Sequence, residues 1–201
     1  MGMVRAYIGL GANVGDAIAT LADAVRALDS LDGCRVRGVS RLYATTPVGV
    51  LDQPDFRNAA VALDVSVAPG VSAAEAAASR LLIALKELER GFGRQPRYRW
   101  GPREVDLDLL VFGRHAISVE RPTAGRSDSP AKADLPLIVP HVEARRRLFV
   151  LAPLNDLAPR LVPPGWGESV ATAAARQWAA EGADAARVVA TWDGEGWLEL
   201  G

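Results

Sequence analysis

Apolar residues dominate Val4 to Leu10 and give way to glycines, which predicts a buried strand followed by a turn over residues 9–16. Ile18, Leu21, Ala22, Val25 and Leu28 then recur at helical spacing, with Asn13 or Asp16 placed to cap the helix. Cys34 to Tyr43 reads as one alternating strand carrying Val36, Val39 and Leu42. Phe56 to Val67 reads as another, with Ala59, Val61, Leu63 and Val65 on one face. Ala77, Leu81, Leu85 and Leu88 form the apolar stripe of a helix over residues 72–90, and Ser72-Ala73-Ala74-Glu75 matches a capping box. Val105 to Phe112 supplies the next strand. The order strand, helix, strand, strand, helix, strand predicts an α+β fold: a ferredoxin-like βαββαβ sandwich, with helices packed on an antiparallel sheet.

After this unit the periodicity weakens. Residues 122–134 are polar and contain Pro, Gly, Ser and Ala, as expected for a mobile insertion. Residues 169–180 read as a helix and 187–200 as a closing strand pair. The expected organisation is one domain over residues 1–165, with a C-terminal extension over 166–201 packed on it.

Composition narrows the function classes. With 201 residues, 49% hydrophobic and 23% charged, the chain has the make-up of a globular domain. Its net charge of −1 gives no overall basic field for nucleic acid or a membrane surface. The single cysteine, Cys34, cannot form an internal disulfide and reads as a small core residue. No signal peptide and no run of ~18 apolar residues is visible. A cytoplasmic location is expected.

The run Arg99-Trp100-Gly101-Pro102-Arg103-Glu104-Val105-Asp106-Leu107-Asp108-Leu109 carries the clearest chemistry. On a strand, Asp106 and Asp108 share a face at roughly 6–7 Å, while Val105, Leu107 and Leu109 turn to the core. Two carboxylates that close repel unless a cation lies between them. Arg94, Arg97, Arg99 and Arg103 enter the same strand, and guanidinium forks match phosphate oxygens. Acidic side chains holding a divalent metal inside a ring of arginines suit phosphoryl chemistry. Elsewhere the signals are weaker. Gly9, Gly11 and Gly15 miss the dinucleotide spacing by one residue, and no Walker-type loop exists. His141 lies six residues before Arg147, close enough for the two to share a surface. The segment from Thr45 to Asn58, with Phe56, suits a flat hydrogen-bonding heterocycle.

Together these segments resemble a family, the 6-hydroxymethyl-7,8-dihydropterin pyrophosphokinases of folate biosynthesis. The matching stretches are Ala6 to Asn13, Asp52 to Ala60, Arg99 to Asp108, and Pro140-His141 with Phe149 to Leu154. The resemblance implies pyrophosphate transfer from ATP to the hydroxymethyl group of 6-hydroxymethyl-7,8-dihydropterin, with AMP released and two Mg²⁺ ions as cofactor. It implies that Asp106 and Asp108 hold the metals, and that Arg94 and Arg103 bind the ATP phosphates and close over the site with Trp100. His141 and Arg147 would contact phosphates. Leu109 and Ile138 would flank the adenine, with Glu89 on the nucleotide side of the cleft. Phe56 and Phe149 would sandwich the pterin, and Asn58 with Thr45, Thr46, Pro47 and Val48 would bond its edge. The expected assembly is a monomer, with ATP and the pterin as its partners.

Three departures stand out. Phe56 occupies a position where the family often has tyrosine, the loop between Arg94 and Arg99 is about one residue short, and the 122–134 insertion leaves the role of Arg121 open. Two other classes fit the Asp-x-Asp strand alone. One is a metal-dependent nucleotide transferase of another kind, which would not form AMP. The other is a non-catalytic ferredoxin-like ligand-binding module, which would not turn ATP over.

Overall fold

The computed structural model describes residues 2–47, 52–93, 101–126 and 135–200. Strand β1 (Gly2–Ala12) lies between β5 (Asp106–Phe112) and β4 (Phe56–Val67), antiparallel to both. On its other side β4 pairs with β2 (Cys34–Val39) and β3 (Leu42–Thr45). The C-terminal segment continues this sheet: β8 (Arg187–Trp192) pairs with β3, and β9 (Trp197–Glu199) pairs with β8. The resulting order is β5-β1-β4-β3-β8-β9, with β2 also on β4. A separate two-stranded sheet joins β6 (Ile117–Val119) to β7 (Leu137–Val139).

Alternation along the central strands builds two apolar layers. Ala6, Ile8 and Leu10 of β1 and Ala59, Val61 and Leu63 of β4 pack under α1 (Ala17–Asp29) and α2 (Ala73–Gly91). On the opposite face, Leu110 and Val111 pack with α3 (Leu148–Leu157) and α4 (Val170–Glu181). At roughly 25 cal/mol per Å² of apolar surface removed from water, these two layers are the main stabilising term. Among the described residues no helix is long and apolar enough to cross a membrane.

Four local expectations are corrected. First, β1 runs on to Ala12, so Gly9 and Gly11 are strand residues rather than a turn. Second, the single strand expected over 34–43 breaks at Ser40 and Arg41. There the Ser40 hydroxyl donates to the Arg41 carbonyl and accepts the Ala60 N–H, and the Ser40 carbonyl accepts the Trp197 indole N–H at 3.0 Å. Third, the capping box is not made: Ser72 is the N-cap of α2, but its side chain bonds no backbone N–H. Asp16, by contrast, caps α1 by accepting from the Ala19 N–H. Fourth, part of the expected insertion is docked, because residues 123–125 form a single turn whose Ala124 carbonyl accepts from Arg90 at 2.7 Å. The rest of it, 127–134, lies outside the described residues.

Candidate active site

The site is a gap in the sheet surface. Across β1, Gly11 lies opposite Asp106 on β5 and Asn58 on β4, and Gly9 lies opposite Asp108 and Ala60. Neither glycine contributes a side chain, so β1 forms a bare floor between the acidic strand and β4. The floor is close-fitted. A Cβ on Gly11 would meet the Asn58 Oδ1 at 3.2 Å, and one on Gly9 would meet Leu110 at 3.3 Å. Over this floor opens a cavity of about 170 Å³ lined by Asp106, Asp108, Arg103, Arg147, Phe56, Asn58, Thr45, Thr46 and Phe149, among others.

Each lining group is aimed by its element. Alternation on β5 sends Asp106 and Asp108 to the cavity and Val105, Leu107 and Leu109 to the core. The β1–β5 register then shifts by one residue, and Leu110 and Val111 both face the α3 layer. Arg103 lies 3.6 Å from Asp106 and keeps a positive charge against the acidic pair. Arg147 and Phe149 enter at the start of α3, with the guanidinium 5.7 Å from the Phe149 ring centre. On the sheet side, the Asn58 amide donates to the Thr45 hydroxyl at 2.7 Å.

Asn13 joins the two loops beside the cavity. Its backbone N–H donates to the Arg103 carbonyl at 3.0 Å, and its Oδ1 accepts the Arg103 N–H at 2.7 Å. Its amide nitrogen donates to Gln53 Oε1 at 3.2 Å and to the Pro54 carbonyl at 3.0 Å. The end of β1 therefore ties the segment before Phe56 to the segment before Asp106. In the sequence Asn13 is visible only as a candidate helix cap, because its partners are 40 and 90 residues away.

Several expected residues are placed elsewhere. Leu109 is buried in the core layer, and its neighbour Leu110 reaches the cavity instead. Glu89 is 1% exposed, accepting the Leu107 N–H at 2.7 Å and pairing with Lys86 at 2.6 Å, so it does not open on the cleft. His141 and Arg147 line different cavities, with Glu143 between them: its N–H donates to His141 Nδ1 at 3.3 Å and its carboxylate lies 3.7 Å from Arg147. His141 lines a second, more open cavity of about 540 Å³ with Ile138, Arg145 and Arg146, while Arg147 lines the first. The His141 N–H nevertheless donates to the Leu110 carbonyl at 2.9 Å, which links the two cavity walls. Arg94, Trp100 and Val48 lie outside the described residues, as do Gln95 and Arg97. Pro47 is described but is not among the cavity residues. Leu110, Gly9 and Gly11 are cavity residues that the sequence reading missed. Extending the Asp-x-Asp alternation by one step would have found Leu110.

Arg121, whose role the sequence left open, is half-buried and lies within electrostatic reach of the Asp108 and Glu89 carboxylates. Burial pulls its pKa down, and those two carboxylates oppose the shift. Its Nε donates to the Leu135 carbonyl at 3.1 Å, which joins the two ends of the insertion.

The donor set fits a hard divalent cation carrying phosphate. Two carboxylates share one face, and among the described residues no third His, Cys, Asp or Glu completes an all-protein cage. Mg²⁺ is typically held by one or two carboxylates, with waters and substrate phosphates filling its other positions. A model of the 7,8-dihydro-6-hydroxymethylpterin-pyrophosphokinase (HPPK) family matches residues 7–159. The chain belongs to this family. A 2-amino-4-hydroxy-6-hydroxymethyldihydropteridine pyrophosphokinase from Methylorubrum extorquens is 40% identical over 163 residues, covering 81% of this chain and 88% of that protein. The Bacillus subtilis protein of the same name is 39% identical over 152 residues, covering 76% of this chain and 77% of its own length. In three dimensions, this chain aligns with a crystal structure of Plasmodium falciparum HPPK-DHPS at a TM-score of 0.70 and 14% identity, over 99% of this chain and 49% of that one. A second HPPK-DHPS structure, in complex with substrates, gives a TM-score of 0.71 at 10% identity, over 100% and 50%. The chain thus spans about half the length of these HPPK-DHPS chains, and at such identities the likeness is one of fold.

Proposed function

We infer that this chain transfers pyrophosphate from ATP to the hydroxymethyl group of 6-hydroxymethyl-7,8-dihydropterin, giving AMP and the pterin diphosphate for folate synthesis. The observation that carries the reading is the joining, over one glycine floor, of an Asp106–Asp108 pair with arginines and a Phe56–Phe149 aromatic pair beside Asn58 and Thr45. Asp106 and Asp108 would hold Mg²⁺, two ions in this reading; bound there, the metal would neutralise triphosphate charge and polarise the attacking alcohol. Arg103 and Arg147, which line the same cavity, would bind phosphate oxygens. The adenine end would lie toward Ile138, with His141 in contact with phosphate. Phe56 and Phe149 would stack on the pterin faces while Asn58 and the backbone at Thr45 and Thr46 bond its edge. No side-chain base is needed, because the work is alignment of alcohol, phosphorus and leaving group, with water kept out. The accompanying fold reading is ferredoxin-like, supported by the order β5-β1-β4-β3, with residues 166–201 as an extension of the domain. We take the protein to be a cytoplasmic monomer.

One assay tests the activity against its rivals. Purified protein is incubated with Mg-ATP, with and without reduced hydroxymethyldihydropterin, and AMP is quantified. AMP that appears only with the pterin supports the reading. Folded protein that forms no AMP under these conditions overturns it.

A further inference from the structure

Behind the proposed pterin pocket lies a polar cluster that the reaction does not use directly. Asp156, in the last turn of α3, accepts from the Arg41 side chain at 2.6 Å (Nη2) and 3.1 Å (Nε), from the Arg41 backbone N–H at 3.1 Å, and from the Tyr43 hydroxyl at 2.9 Å. Arg41 also donates to the Tyr43 oxygen at 2.9 Å. The cluster runs from the surface inward: the Arg41 side chain is 49% exposed, that of Asp156 13%, and Tyr43 is 1% exposed. Burial and the adjoining carboxylate push the Tyr43 phenol upward, so it stays a neutral donor throughout the physiological range.

Its two ends lead to opposite walls of the pocket. Phe149 and Asp156 are seven residues apart on one helix, two turns along the same face. Tyr43 and Thr45 are two apart on one strand and share a face, with Tyr43 opposite Asn58 and Thr45 opposite Phe56. The helix wall (Phe149) and the sheet wall (Phe56, Asn58, Thr45) are therefore fastened behind the pocket by a charge-assisted cluster. A stacked ring needs a fixed spacing between its two aromatic partners, and small misplacements of such groups are costly.

We propose that Arg41, Tyr43 and Asp156 are positioning residues that set the width of the pterin slot, acting through α3 and β3 without touching substrate. This rests on the pterin-pocket reading above. The test uses the full-length protein and the variants Tyr43→Phe, Asp156→Asn and Asp156→Ala. Steady-state constants are measured separately for pterin and for ATP, with thermal melts alongside. The expected result is a KM for pterin raised about five- to tenfold in Tyr43→Phe and more in Asp156→Ala, with kcat and the KM for ATP within about twofold. Asp156→Asn, which keeps an acceptor oxygen, recovers part of the loss. A lowered melting temperature with an unchanged pterin KM overturns the proposal, and so does an equal rise in both KM values. If the Tyr43 variant does not fold, Arg41→Ala at a half-exposed position carries the same test. An inactive wild-type protein would instead refute the pterin reading itself, so the two failures are distinguishable.

Discussion

At the scale of single residues, what matters most is which face a side chain occupies. Asp108 and Leu109 are adjacent, yet one lines the cavity and the other is sealed in the core. Replacing Asp108 by Ala should cost about 3–4 kcal/mol of transition-state stabilisation, two to three orders of magnitude in kcat/KM, comparable to loss of an oxyanion-hole donor. Near-wild-type turnover would refute its role. Asn13→Ala would strand the Arg103 N–H and remove the bonds to Gln53 and Pro54. It should lower stability by about 1–3 kcal/mol in urea titrations and also reduce turnover, because both loops lose a shared anchor. Cys34 is half-buried and its thiol is held upward by burial, so alkylation near neutral pH should be slow until the chain is unfolded.

Elements were legible where a periodic pattern met a single buried face. The helices over residues 17–29 and 73–91 and the strands β4 and β5 follow directly from apolar spacing. Features that rest on distant partners were not legible. The break between β2 and β3 depends on Ser40 meeting Ala60 and the Trp197 indole, while the local alternation runs straight through it. Helix α3 has apolar residues on several sides and a proline at 153, so no amphipathic period marks it. The acidic pair and its arginines could be read locally because they sit within one strand and the loop before it. The glycine floor could not, because its meaning depends on what lies across β1. Capping gives a paired test at this scale. Asp16→Ala removes an observed cap bond and should cost about 1 kcal/mol, whereas Ser72→Ala should cost only a few tenths, since Ser72 makes no such bond. Equal losses in denaturant titrations would contradict the difference in geometry.

For the whole molecule, the C-terminal segment is part of the architecture. The family match ends at residue 159, yet β8 and β9 extend the sheet, Trp197 enters the core, and α4 is pinned through Glu168, Arg145 and Arg176. The arginine hydrogen bonds hold the Glu168 carboxyl below its ordinary range. Its contribution is therefore complete above that range and is lost as pH falls through the lowered folded-state value. Thermal melts should show Glu168→Gln destabilised at neutral pH, with the gap to wild type closing in acid. The Lys86–Glu89 pair has a different consequence, on the far side of the sheet. Strand β5 ends the order, and the pair meets it from α2. Glu89 takes the Leu107 N–H and Lys86 donates to the Leu107 carbonyl at 3.2 Å. Two side chains thus stand where a neighbouring strand's backbone would pair. Glu89→Ala would leave the buried Lys86 charge and the Leu107 N–H without this partner, and should cost about 3–5 kcal/mol in denaturant titrations. The buried ion pair in this sense takes the place of a further strand, closing the outer backbone of β5 with two side chains from a helix.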